Sequence, residues 1–182
     1  MGLLDKLLGP EKATAWRAAS FLDSAANGGK WTVESYIKSG ADINIREKKE
    51  SNTALIIAIN NGRKEIAELL IKNGADLNLI NRYGYTALMR ATYKGKLKLV
   101  EMLIKGEADL NIQDEDGRTA LMLAAASIPY ILRRKEIAEL LIKNGADVNI
   151  QGNKGETALM LAVQTGRKEI AEMLIKSGAK TT

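Results

Sequence analysis

Apolar and polar positions along this chain fall into two helical patterns that return in fixed order. In residues 64 to 76, KEIAELLIKNGAD, Ile66, Leu69 and Leu70 share one side of a helix, and Lys64, Glu65, Glu68 and Lys72 face water. Glu68 and Lys72 form a favourable i,i+4 pair. Asn73–Gly74 ends the stripe, with Gly74 suited to the left-handed residue past a helix C-terminus. The second pattern is shorter, as in RYGYTALMRATYKG at residues 82 to 95. There Ala87, Leu88 and Ala91 make a narrow stripe of small residues, and Thr86 stands as an N-cap. Gly84 supplies a turn position tolerant of positive φ, and Gly95 stops the helix. The chain is thus predicted to be built from pairs of short helices.

These patterns repeat. KEIAELLIKNGAD recurs unchanged at residues 135 to 147, and KLVEMLIKGEAD at 98 to 109, KEIAEMLIKSGAK at 168 to 180 and VESYIKSGAD at 33 to 42 are variants of it. TALI begins at Thr53 and TALM at Thr86, Thr119 and Thr157, with spacings of 33, 33 and 38 residues. The identical copies stand 71 apart, two periods of 33 plus a five-residue insertion within SIPYILRR. One domain spanning 1–182 is expected, with a degenerate capping unit at 1–44 and repeats at 45–78, 79–111, 112–149 and 150–182. A two-helix unit cannot bury both apolar faces alone, so neighbours must stack into a linear array.

The D-x-x-G-x-T-A-L frame, the alanine-rich first helix, the E-I-A-E-L-L-I-K second helix and the G-A-D-x-N tail resemble the ankyrin repeat family over roughly residues 20 to 182. That resemblance implies an all-α repeat solenoid of stacked helix–turn–helix units with β-hairpin-like turns. Several positions depart from the family pattern. Pro-Leu-His after the threonine is replaced by Ala-Leu-Met or Ala-Leu-Ile, so Ile56, Met89, Met122 and Met160 must join neighbouring units by packing. The second unit has an extra turn residue and Ser51 in place of Gly, and its tip, REKKES, is expected to be distorted and mobile. Trp16, Phe21 and Trp31 are expected to seal the N-terminal edge, with GLLDKLLG adding an amphipathic turn or two. Gly28–Gly29 falls at a first-to-second-helix turn. At the other end, Ile170, Met173 and Leu174 differ little from internal copies, which leaves a modest apolar edge or an oligomer contact.

Composition narrows the chemistry. The 182 residues include no Cys and no His, which removes disulfides, thiolate catalysis, zinc–sulfur sites and the usual neutral-pH base. Asp114, Glu115 and Asp116 before Gly117 invite a calcium reading, but an EF-hand count from Asp114 puts Thr119 at the Gly position and Ala125 at the Glu position. No phosphate-binding loop or dinucleotide fingerprint is present. The chain reads as a non-enzyme with no cofactor and no metal site. No apolar run approaches the ~20 residues that span a bilayer, and the N-terminus lacks a signal-peptide pattern, so a cytoplasmic protein is expected. The net charge is +5, but glutamates interleave the basic residues of the second helices, so nucleic-acid binding is kept only as the alternative.

The resemblance implies a scaffold (an adaptor, an inhibitor or a sequestering factor) that holds a protein partner on a concave face of turn tips and first helices. The family's variable positions fall on residues such as Asn52 and Thr165, with Gln113 on a linking strand, but those of the third unit stand out. Tyr83, Tyr85 and Tyr93 lie there with Arg82, Arg90 and Lys94, and Tyr and Arg dominate interface hot spots. Arg90 replaces an apolar family position, so its stem is also suited to lie over the neighbouring unit. Glu115, Asp116 and Arg118 follow on the next tip, and Tyr130 in the insertion completes the candidate partner-binding set. An acidic or mixed-polarity partner is expected, with a monomer favoured over a homo-oligomer.

Overall fold

The computed structural model describes residues 3–126 and 133–180. Its helices fall into two compact units, Met1–Asp76 and Leu77–Thr182.

The first unit holds α1 (Leu3–Leu8), α2 (Pro10–Asn27), α3 (Lys30–Lys38), α4 (Ala54–Asn60) and α5 (Lys64–Lys72). Pro10 opens α2, where its fixed φ suits the first turn, and Gly28–Gly29 turns the chain into α3. α2 packs against both α3 and α4. Phe21 carries that packing, fully buried and stacked on Tyr36 at 4.1 Å between ring centroids. The two tryptophans do not join it: Trp16 is 52% and Trp31 79% exposed. The buried stripe of α2 runs through Ala18, Phe21 and Ala25, and Trp16 lies off it. Trp31 precedes Val33, the buried residue of α3, by two positions, which turns it to the opposite side.

The tip between α3 and α4 forms a hydrogen-bonded turn. Arg46 and Thr53 pair in antiparallel fashion, and the Glu47 N–H donates to the Asn52 carbonyl at 2.9 Å. The Glu47 carboxylate accepts from the N–H groups of Lys49 at 2.7 Å and Glu50 at 2.6 Å. Burial pushes this carboxyl up, but those backbone donors outweigh it and hold it below the ordinary glutamate range. Ser51 takes φ 56°, close to the conformation of Gly84 (76°), Gly117 (77°) and Gly155 (78°) at the other tips. The expected distortion is thus replaced by a closed turn in which Glu47 collects the extra N–H groups.

The second unit holds α6 (Ala87–Tyr93), α7 (Leu97–Lys105), α8 (Ala120–Ala125), α9 (Arg134–Lys143), α10 (Ala158–Gln164) and α11 (Lys168–Lys176). Each first helix packs on its own second helix, α6 on α7, α8 on α9 and α10 on α11. First helices stack as α6, α8, α10, and second helices as α7, α9, α11. The motif threonines cap every first helix. Thr86 Oγ1 accepts from Met89 N at 3.2 Å, and Thr119 and Thr157 repeat the contact at 3.3 Å. Ala87, Leu88, Ala91 and their counterparts are buried. Met89 and Met122 are each 1% exposed, so they fill the space between stacked repeats of this unit, whereas Met160 on α10 is 38% exposed. The exposed apolar residues of the last repeat are Met160, Val163 and Ile175, whereas Ile170 and Leu174 are buried and Met173 is half-buried.

The G-A-D-x-N tails are joined by a side-chain ladder. Asn78 Oδ1 accepts from Asp109 N, Asn111 Oδ1 from Asp147 N and Asn149 Oδ1 from Lys180 N, each at 2.9 Å. In the first unit Asn44 Oδ1 accepts from Asp76 N at the same distance. Each Asn thus supplies an acceptor for a backbone donor one repeat onward. The whole is an all-α repeat solenoid with hairpin-like turns, and no sheet forms among the described residues.

Candidate protein-interaction surface

The candidate residues of the second unit stand on two consecutive tips and on α6. In the first tip the buried Asn81 Oδ1 accepts from the N–H groups of Tyr83 and Tyr85, both at 3.0 Å. Asn81 N donates to the Tyr85 carbonyl at 3.0 Å, closing the turn. Asp114 does the same work in the next tip, with Oδ1 accepting from Asp116 N at 3.0 Å and Arg118 N at 2.8 Å. Gly84 is required twice over. It has φ 76°, and a Cβ there would stand 2.6 Å from Glu115 N. The tips are stacked backbone to backbone, and further on Asn153 ties in by donating to the carbonyls of Asp116 at 3.0 Å and Glu115 at 2.8 Å.

On this frame Tyr85, Arg90, Tyr93 and Arg118 converge. The Tyr85 and Tyr93 rings meet edge to face at 6.4 Å, and the Arg90 guanidinium lies 5.5 Å from each ring centre. Such cation–π contacts contribute about 0.5–1 kcal/mol each at partly exposed sites. Arg118 donates from Nη2 to the Tyr85 hydroxyl at 3.1 Å and from Nε to Asp114 Oδ2 at 2.9 Å, and it reaches Asp116 at 2.7 Å. Burial disfavours the Arg118 cation, but the Asp114 carboxylate more than offsets this and holds it protonated. Burial also raises the Tyr85 hydroxyl above the ordinary tyrosine range, against the opposing pull of Arg118. Tyr85 and Arg118 therefore brace one repeat against the next, besides lining the surface.

The remaining candidates are more open. Tyr83 is 45% exposed at the tip, with the Arg82 guanidinium 5.7 Å from its ring centre. Lys94 is exposed at the C-cap of α6, and Glu115 and Asp116 are exposed on the second tip. Tyr130 lies outside the described residues. Several variable and linking-strand positions are engaged within the fold. Asn52 bonds Glu47 and Glu50, Gln113 donates to the carbonyls of Gly117 and Gln151, and the Thr165 hydroxyl donates to Ala125 O at 3.1 Å. Asn81 and Asp114 were not singled out for this turn-closing role by sequence reasoning, although their shared position five residues before the motif threonine was a usable signal.

The surface is open and built from rings set edge to face, a buried carboxylate and guanidinium groups. Among the described residues no cluster of acidic side chains could hold a metal ion, and no helix is long and apolar enough to cross a membrane. The family model for ankyrin repeats (3 copies) matches residues 21–114 and 95–182. The chain belongs to the ankyrin repeat family. No curated protein matches it. Ankyrin repeats are generally protein–protein interaction modules, and proteins built from them are typically non-enzymatic.

Proposed function

We propose that this protein is a non-catalytic interaction scaffold of the cytoplasm, working as a single copy, that holds a protein partner on the tips and first helices of its second unit. The carrying observation is the aromatic–guanidinium cluster of Tyr85, Arg90 and Tyr93, flanked by exposed Tyr83, Arg82 and Lys94. Rigid aromatic faces bordered by cations suit an acidic or mixed-polarity segment, because ring area supplies affinity and the charges supply orientation. Glu115 and Asp116 on the neighbouring tip favour a segment with a basic residue toward that end. Adaptor, inhibitor and sequestering roles all use such a surface.

The test separates contact residues from braces. Tyr83→Ala with Tyr93→Ala removes ring area while leaving the Tyr85–Arg118–Asp114 network in place. Capture from source lysate by this double variant should lose the partners that the parent retains, by about tenfold or more for two interface tyrosines. The unfolding profile by circular dichroism should stay close to the parent's. Equal recovery by parent and variant would refute the placement of the partner.

A further inference from the structure

Arg118, on the second tip, is held by two carboxylates of different standing. Asp114 is 1% exposed, and its Oδ2 lies 2.9 Å from both Nε and Nη2 of Arg118. Its Oδ1 accepts from the backbone N–H groups of Asp116 and Arg118, so Asp114 belongs to the turn itself. Asp116 is 67% exposed and reaches Nη2 at 2.7 Å. The Tyr85 hydroxyl stands 3.1 Å from the same nitrogen. Three oxygens thus crowd Nη2, which carries two N–H groups.

The two carboxylates are not equally replaceable. Loss of Asp114 would leave the turn without its buried acceptor. Asp116 instead makes an ion pair at the surface, a class that contributes little because solvent competes for the charges. Burial disfavours the Arg118 cation, Asp114 more than offsets this, and the charge of Asp116 adds least. Arg118 therefore stays charged and in place when Asp116 swings away. Tyr85 steadies it from a further side, and the Arg90 guanidinium lies over the Tyr85 ring, so the local surroundings favour a carboxylate.

We propose that Asp116 is a stand-in ligand: its carboxylate occupies the place on Arg118 that an acidic side chain of the partner takes, and binding exchanges one for the other. The inference rests on the reading of this face as a partner surface, and it names what the face selects. Once displaced, Asp116 stands next to the exposed Glu115 and favours a basic side chain arriving with the acidic one. A uniformly acidic segment meets Asp116 and Glu115 as like charges, and a uniformly basic one meets Arg118 and Arg90. The surface thus selects a segment in which an acidic and a basic residue lie close together.

The test selects random-sequence dodecapeptides on the full chain. Those retained by the parent and lost by the Tyr83→Ala, Tyr93→Ala variant are made synthetically. Fluorescence polarisation then compares each with one version lacking its acidic residue and one lacking its basic residue. Loss of the acidic residue should weaken binding to the parent about tenfold. Asp116→Asn, an isosteric change at an exposed position, should bind the base-free version about threefold tighter than the parent does, and the intact peptide no tighter. Glu115→Gln removes the same charge one residue away without releasing Arg118, and should give a clearly smaller gain. The exchange is overturned, with the partner surface still standing, if the acidic residue is dispensable or Asp116→Asn leaves the base-free peptide unchanged. An equal gain from Glu115→Gln overturns it as well, because bulk charge would then explain the effect. Absence of any peptide lost by the tyrosine variant refutes the partner surface itself, and the exchange with it.

Discussion

KEIAELLIKNGAD stands once on α5 and its exit, at residues 64 to 76, and once on α9 and its exit, at 135 to 147. The inward side is the same in both. Ile66, Ala67 and Leu70 are buried, as are Ile137, Ala138 and Leu141. Both exits agree as well: Asn73 Nδ2 donates to Leu69 O at 2.8 Å and Asn144 Nδ2 to Leu140 O at 2.7 Å, before Gly74 at φ 80° and Gly145 at φ 90°. The outward side differs. In the first copy Lys72 pairs with Glu68 at 3.0 Å, whereas in the second copy Lys135 pairs with Glu169 at 2.8 Å, outside the copy. The entries differ most. Arg63 is exposed and donates to Ala26 O at 2.9 Å, while its equivalent Arg134 is buried beside Arg167. Identical sequence therefore fixes packing and termination, and neighbours decide what its charges do.

The sharpest way to break that comparison is through the shared core. Leu70 and Leu141 are each fully buried. Leu70→Ala and Leu141→Ala should each lose roughly 2–5 kcal/mol in denaturant unfolding, the range for a buried leucine. If inward packing is set by the copied sequence, the two losses should agree within about 1 kcal/mol, since their chemistry is the same and only cavity relaxation differs. A wide gap would mean that neighbouring helices contribute more to these sites than the matching burial indicates.

The entry turns come next in size. Nothing lies within 4 Å of a Cβ built on Gly62, so Gly62→Ala meets no clash and should cost about 1 kcal/mol through its φ of 67° alone. Arg133 holds the equivalent place before α9, at φ 68°. Arg133→Gly should do the opposite and stabilise by about 0.5–1 kcal/mol, the strain relief reduced by the entropy that glycine brings to the unfolded chain. Opposite signs at equivalent positions, read from melting temperatures, would show that Arg133 is kept at the expense of stability. A destabilised Arg133→Gly would show that the side chain holds α9 in place.

The fold was legible because its determinants are local and repeated. Thr86, Gly84 and the Ala87–Leu88–Ala91 stripe announce cap, turn and buried face within a few residues, and the 33-residue spacing announces stacking. The N-terminal tryptophans were misread because size suggested a seal, while helical phase decides which side faces the core. The closed turn at Glu47 was not legible, because a carboxylate that gathers backbone donors leaves no periodic trace. The tyrosine cluster was legible as a group on one face. Its division into contact residues and braces was not, because the Tyr85–Arg118 bond joins residues 33 positions apart. The burial of Arg134 was not legible either, since Arg63, Arg134 and Arg167 stand at equivalent positions of the repeated sequence.

The smallest effect concerns the outward charges, where the two copies should respond to pH with opposite sign. The hydrogen bond from Lys72, and then its charge, hold the Glu68 carboxyl below the ordinary glutamate range. A depressed folded value means that this contribution exists above the unfolded pKa and disappears as pH falls through the folded one. In the second copy the hydrogen bond to Glu169, and then its charge, hold the Lys135 ammonium above the ordinary lysine range. That contribution exists below the unfolded pKa and disappears as pH rises through the folded one. Both groups are solvent-exposed, so the readout is the titration itself, followed by NMR of the Glu68 carboxyl carbon and the Lys135 Cε. Lys72→Ala should move the Glu68 midpoint up, and Glu169→Ala should move the Lys135 midpoint down, with both shifts shrinking at high salt. Midpoints indifferent to both substitutions would mean that these pairs do not persist in solution, and the outward difference between the copies would reduce to their entry turns.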